Sequence, residues 1–277
     1  MKIVVVIPTY NEAGYLGTLI DGLFAQRIGD GVDLHILIVD DASPDGTAEV
    51  AAAAGRRWPR RVEVLPRSGK LGLASAYASG FDHAMRGGAD YIGQMDGDGS
   101  HDPSALPRMY AALAGSDLVI GSRYVPEVGG DRRVGWYRRA GSRVANLAVL
   151  RCLRQLPVRD PTSGYRLWRR AALQRVDPVH RVRSRGYGFQ VETAFLAACC
   201  GCRMTEVPIE FNDRRAGRSK MTFLVQLKTV AEIAAVPRTH RDLADAWRRR
   251  QASQASPPVD TMTESTPAPE ERKRAVP

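Results

Sequence analysis

The first 120 residues alternate short, apolar, β-branched runs with segments of helical periodicity, and this alternation constrains the fold more than any other feature of the chain. A run such as KIVVVI at 2–7, ended by Pro8, is typical of a strand buried on both faces. Strands that alternate with helices predict an α/β fold with a mostly parallel central sheet flanked by helices. The predicted strands are 2–7, 33–39, 61–65, 90–95 and 117–121, and the predicted helices are 12–25, 45–56, 71–85 and 103–113.

The second half of the chain is less regular. It predicts a basic loop and helix over 124–157, a turn and strand over 160–168, a helix over 189–200, a strand over 203–211, a basic loop over 213–221 and a helix over 222–236. The apolar face of that last helix would carry Phe223, Leu227, Val230 and Ala234, and it could pack on the sheet or lie on a membrane surface.

The composition changes near the C-terminus, where Ser, Thr, Pro and charged residues dominate and few apolar residues remain. Such a segment has little to bury. We therefore expect one domain over 1–245 and a disordered polar tail over 246–277. No run of about 18 apolar residues occurs, so the sequence predicts no membrane-spanning helix.

Polar motifs follow the predicted strands, at the edge of a parallel sheet where ligands bind. Asp96-Gly97-Asp98 places two carboxylates two residues apart after the fourth strand, where they could hold Mg²⁺ or Mn²⁺ on a diphosphate. A calcium loop is excluded because its required Gly and Glu positions carry His101 and Pro107. A plain acidic turn remains the structural alternative.

The segment 39–47 (VDDASPDGT) ends the second strand and begins a helix. An acid there could bind a ribose or base edge, or Ser43 and Asp45 could simply cap the helix. No G-x-G-x-x-G and no Walker A sequence is present, which argues against a Rossmann dinucleotide site and a P-loop.

The chain has 40 basic and 30 acidic residues, a formal charge of +10, and only five of the basic residues are lysine. Arginine binds phosphate in a bidentate manner, so this charge could serve nucleic acid, an anionic membrane or phosphorylated substrates. The sequence contains no helix-turn-helix, RNP or zinc-finger pattern, so we expect no nucleic-acid partner.

These motifs together resemble those of family 2 glycosyltransferases of the GT-A fold. The similarity covers about 2–236 and is closest to polyprenol-phosphate mannose synthases that lack transmembrane helices of their own, of an actinobacterial type. The segments that carry it are IPTYNE at 7–12, 39–47, 95–103, IGSRY at 120–124, DPTSGYR at 160–166, GYGFQ at 186–190, EVPI at 206–209 and DRRAGRSKM at 213–221.

The resemblance implies roles for matching positions, which fall into four groups. The nucleoside pocket would be lined by Pro8, Tyr10, Glu12, Val39 and Asp41. The nucleotide and metal would be held by Asp96, Gly97 and Asp98, and Ser100 stands where some relatives have a metal-binding Gln. The acceptor phosphate and the leaving-group region would be bound by Arg123, Arg138 and Ser142, and the donor diphosphate by Arg214 and Lys220. Asp98 would be the main ligand of Mg²⁺ or Mn²⁺.

The acceptor follows from the chemistry of the nucleophile. A sugar hydroxyl needs a general base, whereas a phosphate with a second pKa of about 6 is already anionic at pH 7. The chain is rich in phosphate-binding residues, lacks the Q-x-x-R-W signature of processive synthases, and offers Glu192 as its one candidate base in the second half, where a structural role is the alternative.

The resemblance therefore predicts inverting transfer of mannose from GDP-mannose to a polyprenyl phosphate. The alternative is a family 2 enzyme that uses another nucleotide sugar, such as UDP-glucose, or a hydroxyl acceptor. We expect a cytoplasmic protein, peripheral on the inner face of the cell membrane, with the membrane surface as a partner. The resemblance also suggests an anchoring membrane protein. Asp98→Ala and Arg123→Ala should lose most activity while remaining folded.

Overall fold

The computed structural model describes residues 1–125, 130–132, 135–153, 156–184, 186, 188–212 and 223–255; the side chains of 138, 223–230 and 254–255 lie outside the description. The strands within it are β1 Lys2–Thr9, β2 Asp33–Asp40, β3 Val62–Pro66, β4 Tyr91–Gln94, β5 Leu118–Ser122, β6 Gly130–Asp131, β7 Arg166–Arg169, β8 Met204–Pro208 and β9 Glu210–Phe211. The helices are α1 Ala13–Phe24, α2 Thr47–Arg57, α3 Leu73–Arg86, α4 Leu106–Ala112, α5 Trp136–Cys152, α6 Arg170–Val176, α7 Pro178–Arg181, α8 Gly188–Cys199, α9 Phe223–Thr239 and α10 Arg241–Ala255.

The central sheet has seven strands in the order β3-β2-β1-β4-β7-β5-β8. Strand β1 lies parallel to β2 and to β4, and its register pairs Pro8 with Val39 and Thr9 with Asp40. The carboxyl ends of β1, β2 and β4 therefore meet at one edge, as the sequence predicts. The mostly parallel α/β fold is confirmed.

Alternate residues of β1 face opposite sides of the sheet, so each face needs its own core. Ile3, Val5 and Ile7 pack with α1, α2 and α4 on one side. Val4 and Val6 pack with α3, α6 and α8 on the other. Helices on both faces explain why this strand is apolar along its whole length.

Strand β7 is the exception to parallel pairing, since it runs antiparallel to both β4 and β5. It enters the sheet between them and brings the preceding turn, 160–165, to the ligand-binding edge. The prediction of a single strand over 203–211 is wrong, because this segment forms two strands. Strand β8 continues the main sheet, and β9 pairs with β6 in a separate two-stranded sheet.

The C-terminal helices correct two expectations. Helix α10 continues to Ala255, so a tail beginning at 246 is wrong: Trp247 is buried, and its ring lies 5.8 Å from that of Phe195 on α8. On α9, Ile233 and Val236 are buried against α5, α8 and α10, whereas Ala234, which we placed on the apolar face, is exposed. The side chains of Phe223, Leu227 and Val230, and residues 256–277, lie outside the described part.

None of the helices in the described ranges is both long enough and apolar enough to cross a bilayer.

Candidate active site

The acidic motif follows β4 at the ligand-binding edge. The side chain of Asp96 is about one-third exposed, and one of its oxygens accepts a hydrogen bond of 3.1 Å from the hydroxyl of Tyr77. Burial, and then the charge of Asp96, raise the pKa of Tyr77 well above its usual value, so it remains a donor. Gly97 is closely packed: a Cβ there would lie 3.3–3.4 Å from Thr9, Ile7 and the Pro8 carbonyl. The motif is thus fixed against the end of β1.

Asp98 is buried, and Ser100 orients it. The Ser100 hydroxyl and N–H donate to the same carboxylate oxygen, at 2.6 and 3.0 Å. This places Ser100 as a support for Asp98, and its role as a metal ligand stays a prediction. Across the residues that the structure describes, no cluster of three or more His, Cys, Asp or Glu side chains is arranged to hold a metal.

The predicted nucleoside pocket lies at the ends of β1 and β2. Asp41 is buried and accepts two hydrogen bonds of 2.8 Å, one from the Arg67 guanidinium and one from the Gly72 N–H. Sequence reasoning missed Arg67, whose partner lies 26 residues away. The Asp41–Arg67 pair fixes the loop before α3 against the end of β2.

The other pocket residues divide into surface and core. Tyr10 is partly exposed, and the Lys70 ammonium lies 4.2 Å from the centre of its ring. Glu12 is buried at the start of α1, and its N–H donates to the Thr47 hydroxyl at 3.0 Å. Val39 is fully buried, with its side chain against Gly80 of α3, so only its backbone remains to line the pocket.

Asp45 contacts the start of α2, as the capping hypothesis for 39–47 predicts, whereas Ser43 does not; the binding hypothesis stays a prediction. Asp45 accepts hydrogen bonds from the N–H and hydroxyl of Thr47, the first residue of α2, at 3.1 and 2.5 Å. Ser43 instead donates to Asp40 and accepts from the Asn11 N–H. Ser43 and Asp45 therefore shape the turn, while Asp41 accepts from Arg67.

Arg123 follows β5 and is held in a buried network. Its Nε and Nη2 donate to the two oxygens of Asp160, both at 2.8 Å, and Nη2 also donates to the Thr162 hydroxyl at 2.6 Å. The remaining nitrogen, Nη1, lies 3.4 Å from the hydroxyl of Ser142 on α5. The hydroxyl of Tyr124 lies 3.1 Å from the same Ser142 oxygen. The structure thus brings together two of the three predicted acceptor residues.

The electrostatics of this pair keep both members charged. Burial favours the neutral form of each, but the opposite charge and hydrogen bonds together outweigh it. The pKa of Arg123 is consequently raised, and that of Asp160 is lowered. The guanidinium is therefore a fixed positive charge, and its Nη1 atom donates to the Ser142 hydroxyl.

The turn that carries Asp160 also contacts the acidic motif. A Cβ on Gly164 would lie 3.0 Å from the Oδ2 atom of Asp96, so a larger residue there would press on this carboxylate. Arg166 supports the turn from below, donating to the carbonyls of Pro161 and Ser163 at 2.7 and 3.0 Å. It is fully buried, and burial lowers its pKa to about 10. It stays protonated at neutral pH.

His101 links the two ends of the site and was not predicted as a site residue. Its ring centre lies 5.2 Å from that of Phe211, whose ring lies 5.1 Å from the Arg123 guanidinium carbon. Its Nε2 atom lies 3.5 Å from Asp96 Oδ2, yet neither buried ring nitrogen has a hydrogen-bond partner within the described structure. Its position directly after Ser100 is the signal that could have identified it.

Three predicted residues lie outside the described side chains. Arg138 falls in the first turn of α5, but its side chain is not described, and Arg214 and Lys220 lie in 213–222. Asn212, the last described residue before that segment, donates its N–H to the Ser100 carbonyl at 3.0 Å.

Glu192 is placed for a structural role. Its carboxylate accepts hydrogen bonds from the N–H groups of Arg183 and Ser184, and one of its oxygens lies 2.6 Å from the Nε2 atom of His240. Burial would raise its pKa, but these bonds together lower it. A buried carboxylate held ionised in this way is a poor general base at neutral pH.

The carboxylates of Asp96 and Asp98 and the buried Arg123 thus lie after strands of the same central sheet. Residues 4–177 match glycosyl transferase family 2, and the chain belongs to that family. It is 42% identical over 223 residues to the polyprenol monophosphomannose synthase of Mycolicibacterium smegmatis, covering 80% of this chain and 81% of that protein. It is 41% identical over 255 residues to the undecaprenyl-phosphate mannosyltransferase of Micrococcus luteus, covering 91% and 98%. These matches confirm the family resemblance.

Solved structures match the fold at lower identity. Glucosyl-3-phosphoglycerate synthase from Mycobacterium tuberculosis, in complex with phosphoglyceric acid, aligns with a TM-score of 0.59 at 20% identity over 85% of this chain and 79% of that one. The same enzyme with Mn²⁺, UDP-glucose and phosphoglyceric acid aligns at 0.58, covering 85% and 80%. The fold is therefore that of GT-A glycosyltransferases, as the sequence predicts.

Proposed function

We propose that this chain transfers mannose from GDP-mannose to a polyprenyl phosphate, with inversion at the anomeric carbon. The observation that carries the proposal is the buried Arg123, which is fixed by Asp160 and bonded to Ser142; the turn that carries Asp160 also approaches Asp96. The names of the two relatives support the sugar and the acceptor class. The guanine nucleotide rests on the family resemblance.

The reaction is a single displacement. An oxygen of the acceptor phosphate bonds to the anomeric carbon on the face opposite the diphosphate, and the bond from that carbon to the β-phosphate oxygen breaks. The products are β-linked polyprenyl-phosphate mannose and GDP. No proton has to be removed, because the phosphate is already anionic at pH 7. Arg123 and Ser142 would hold the acceptor phosphate, with Arg138 beside them.

A phosphate acceptor needs no general base, whereas a hydroxyl acceptor does, and this difference can be compared with the carboxylates of the site. The pKa values of Asp160 and Glu192 are lowered, and both carboxylates accept several hydrogen bonds within the protein. A hydroxyl acceptor would require a base of higher pKa. The described carboxylates therefore favour a phosphate nucleophile.

The donor side fits Mg²⁺ or Mn²⁺. Asp96 and Asp98 supply hard oxygen donors, and Mg²⁺ is commonly bound by one or two carboxylates together with substrate phosphates. When bound, the cation would neutralise charge on the departing diphosphate. Arg214 and Lys220 would complete the diphosphate clamp, and Pro8, Tyr10, Glu12, Val39 and Asp41 would surround the nucleoside.

The test is a donor panel. Purified protein is incubated with a short polyprenyl phosphate, either cation and labelled GDP-mannose, GDP-glucose or UDP-glucose. We expect an organic-extractable mannosyl lipid from GDP-mannose alone, and its loss in Asp98→Ala. Product formed from UDP-glucose, or no lipid product from any donor, would overturn the proposal in favour of the alternative donor or a hydroxyl acceptor.

The acceptor is a lipid, so the enzyme has to work at a membrane surface. We propose peripheral association with the inner face of the cell membrane, aided by an anchoring membrane protein. The high content of arginine supports an attraction to anionic lipid.

A further inference from the structure

Helix α5 has two faces of opposite character. Its inner face carries Ser142 at the proposed acceptor site and the buried residues Asn146 and Val149. Its outer face is apolar and exposed, with Trp136 at 75% and Val144 at 68% of full exposure. Of the six large apolar side chains exposed among the described residues, four lie on this helix: Trp136, Tyr137, Val144 and Leu147.

The exposed residues form one stripe. Tyr137, Val144 and Leu147 recur at spacings of three and seven residues, with the exposed Ala140 between the first two, so they lie on the same side of the helix. No described element covers them. An exposed apolar stripe of this kind marks a surface that meets another molecule.

The charge around the stripe identifies its partner. The sequence from 132 to 159 contains eight arginines and no acidic residue. Arg139, Arg143 and Arg151 of α5 are exposed. A helix with apolar residues on one side, Trp and Tyr at one end and arginines at its flanks is typical of binding at the interface of an anionic bilayer.

We propose that the outer face of α5, defined as Trp136, Tyr137, Ala140, Val144 and Leu147, docks the protein on an anionic lipid bilayer. The inference rests on the proposed lipid acceptor and explains how that acceptor reaches the site. A helix is about 10 Å across, and interfacial helices immerse their apolar face about 5–10 Å. Docking through this face puts Ser142 and Arg123 at the level of the lipid phosphates, with no need to extract the polyprenyl chain far from the bilayer.

This assignment differs from the sequence-based candidate, the helix at 222–236. On α9, Ile233 and Val236 are buried against α5, α8 and α10, while the side chains of Phe223, Leu227 and Val230, which the sequence suggested for this role, lie outside the described residues. Helix α5 has both the exposed apolar side chains and the direct contact to Arg123.

The test compares the wild type with Val144→Glu/Leu147→Glu in flotation with vesicles of phosphatidylcholine and phosphatidylglycerol. Both positions are exposed, so the fold should be retained, which circular dichroism checks. The matched control is Ala52→Glu/Arg56→Gln on α2, which changes the net charge equally at exposed positions far along the sheet. We expect the α5 variant to bind about tenfold or more weakly and the control to bind as wild type, with wild-type binding reduced by salt and on pure phosphatidylcholine.

Trp136 provides a direct probe of immersion. Trp168 and Trp247 are buried and Trp58 is packed on Phe24, so Trp136 is the indole most open to solvent. Brominated anionic lipids should quench the wild-type fluorescence and leave the Trp136→Phe variant nearly unquenched. Equal quenching in the two proteins would overturn the proposal.

Activity separates this inference from the proposed function. The α5 variant should transfer mannose to a short, water-soluble polyprenyl phosphate at the wild-type rate and lose activity only towards long-chain acceptor in vesicles. A wild type that makes product but does not bind vesicles would overturn the docking face and leave the function standing. Vesicle binding without any mannosyl product would overturn the proposed function and leave the docking face standing. A wild-type dimer that Val144→Glu/Leu147→Glu dissociates, without vesicle binding, would assign the face to protein contact and overturn the inference.

Discussion

Replacing Arg123 tests the buried pair on which the proposed acceptor site depends. Asp160 is fully buried and Arg123 is 9% exposed, so this is an interior ion pair. Arg123→Met keeps much of the apolar stem and removes the charge. Asp160 would lose the bonds from Nε and Nη2, but it keeps those from the Thr162 hydroxyl and the backbone N–H of residue 123. Breaking a buried pair costs about 3–5 kcal/mol; with two bonds retained, we expect about 3 kcal/mol.

The expected loss corresponds to a fall of roughly 6–12 °C in Tm for a domain of this size. Arg123→Met/Asp160→Asn, which removes both charges, should be more stable than Arg123→Met alone. The assay is urea unfolding of the wild type, both single variants and the double variant. The expectation that Arg123→Ala loses most activity while remaining folded stays a prediction, and alanine would add the cost of a cavity to that of the unpaired charge.

The ionisation of Asp160 sets how the stability of wild type and variant changes with pH. In the wild type, the pKa of Asp160 is lowered below the unfolded value of about 3.9. Its stabilising contribution is therefore complete above that value and is lost as the pH falls through the folded pKa. In Arg123→Met, burial without the counter-charge raises the pKa, so the carboxyl takes up a proton and the stability gap to wild type narrows from pH 7 towards about pH 5. A gap that stays constant over this range, or a double variant no more stable than Arg123→Met, would refute the reasoning.

Three further outcomes follow from single contacts. Gly164→Ala places a methyl group 3.0 Å from Asp96, so it should lower the Mn²⁺-dependent activity while leaving Tm nearly unchanged. An unchanged dependence of activity on Mn²⁺ concentration would contradict this. Trp247→Ala removes the contact to Phe195 and should lower the free energy of unfolding in urea by about 3–5 kcal/mol. An unchanged free energy of unfolding would show that Trp247 is not part of the core. His101→Phe removes two unpartnered buried nitrogens, which cost about 1–3 kcal/mol each, so calorimetry should show a higher Tm while activity falls. A lower Tm would show that the nitrogens are satisfied.

The sequence predicts the first half of the fold well, because each buried strand has an apolar run with a clear end. It predicts a turn and strand over 160–168, which overlaps β7, but not that β7 runs antiparallel between β4 and β5 or that Arg166 is buried by contacts with the turn before it. It also fails at α10, whose polar composition is that of a tail. Trp247 and Ala244 are recognised as core positions only when α8 is in place.

In the site, too, local sequence predicts some residues, while others depend on tertiary contacts. Motifs at strand ends predict Asp96, Asp98 and Asp41 because local sequence sets their position. The partners that orient them do not follow from local sequence. Asp160 lies 37 residues from Arg123, and Arg67 lies 26 residues from Asp41. Such pairs depend on which strands become neighbours.

The position of Arg166 explains how the site tolerates its own charges. The turn from Asp160 to Gly164 brings a fully buried carboxylate to the side of the sheet that carries Asp96, which by itself would favour protonation of one of the acids. Arg123 pairs with Asp160 directly, and the electrostatic interaction between Asp160 and Arg166 acts against the burial that lowers the pKa of Arg166. Since that pKa remains about 10, Arg166 is charged at neutral pH and neutralises Asp160 from a second side. Asp160 can therefore remain ionised and hold Arg123 in place through the bonds to its two oxygens.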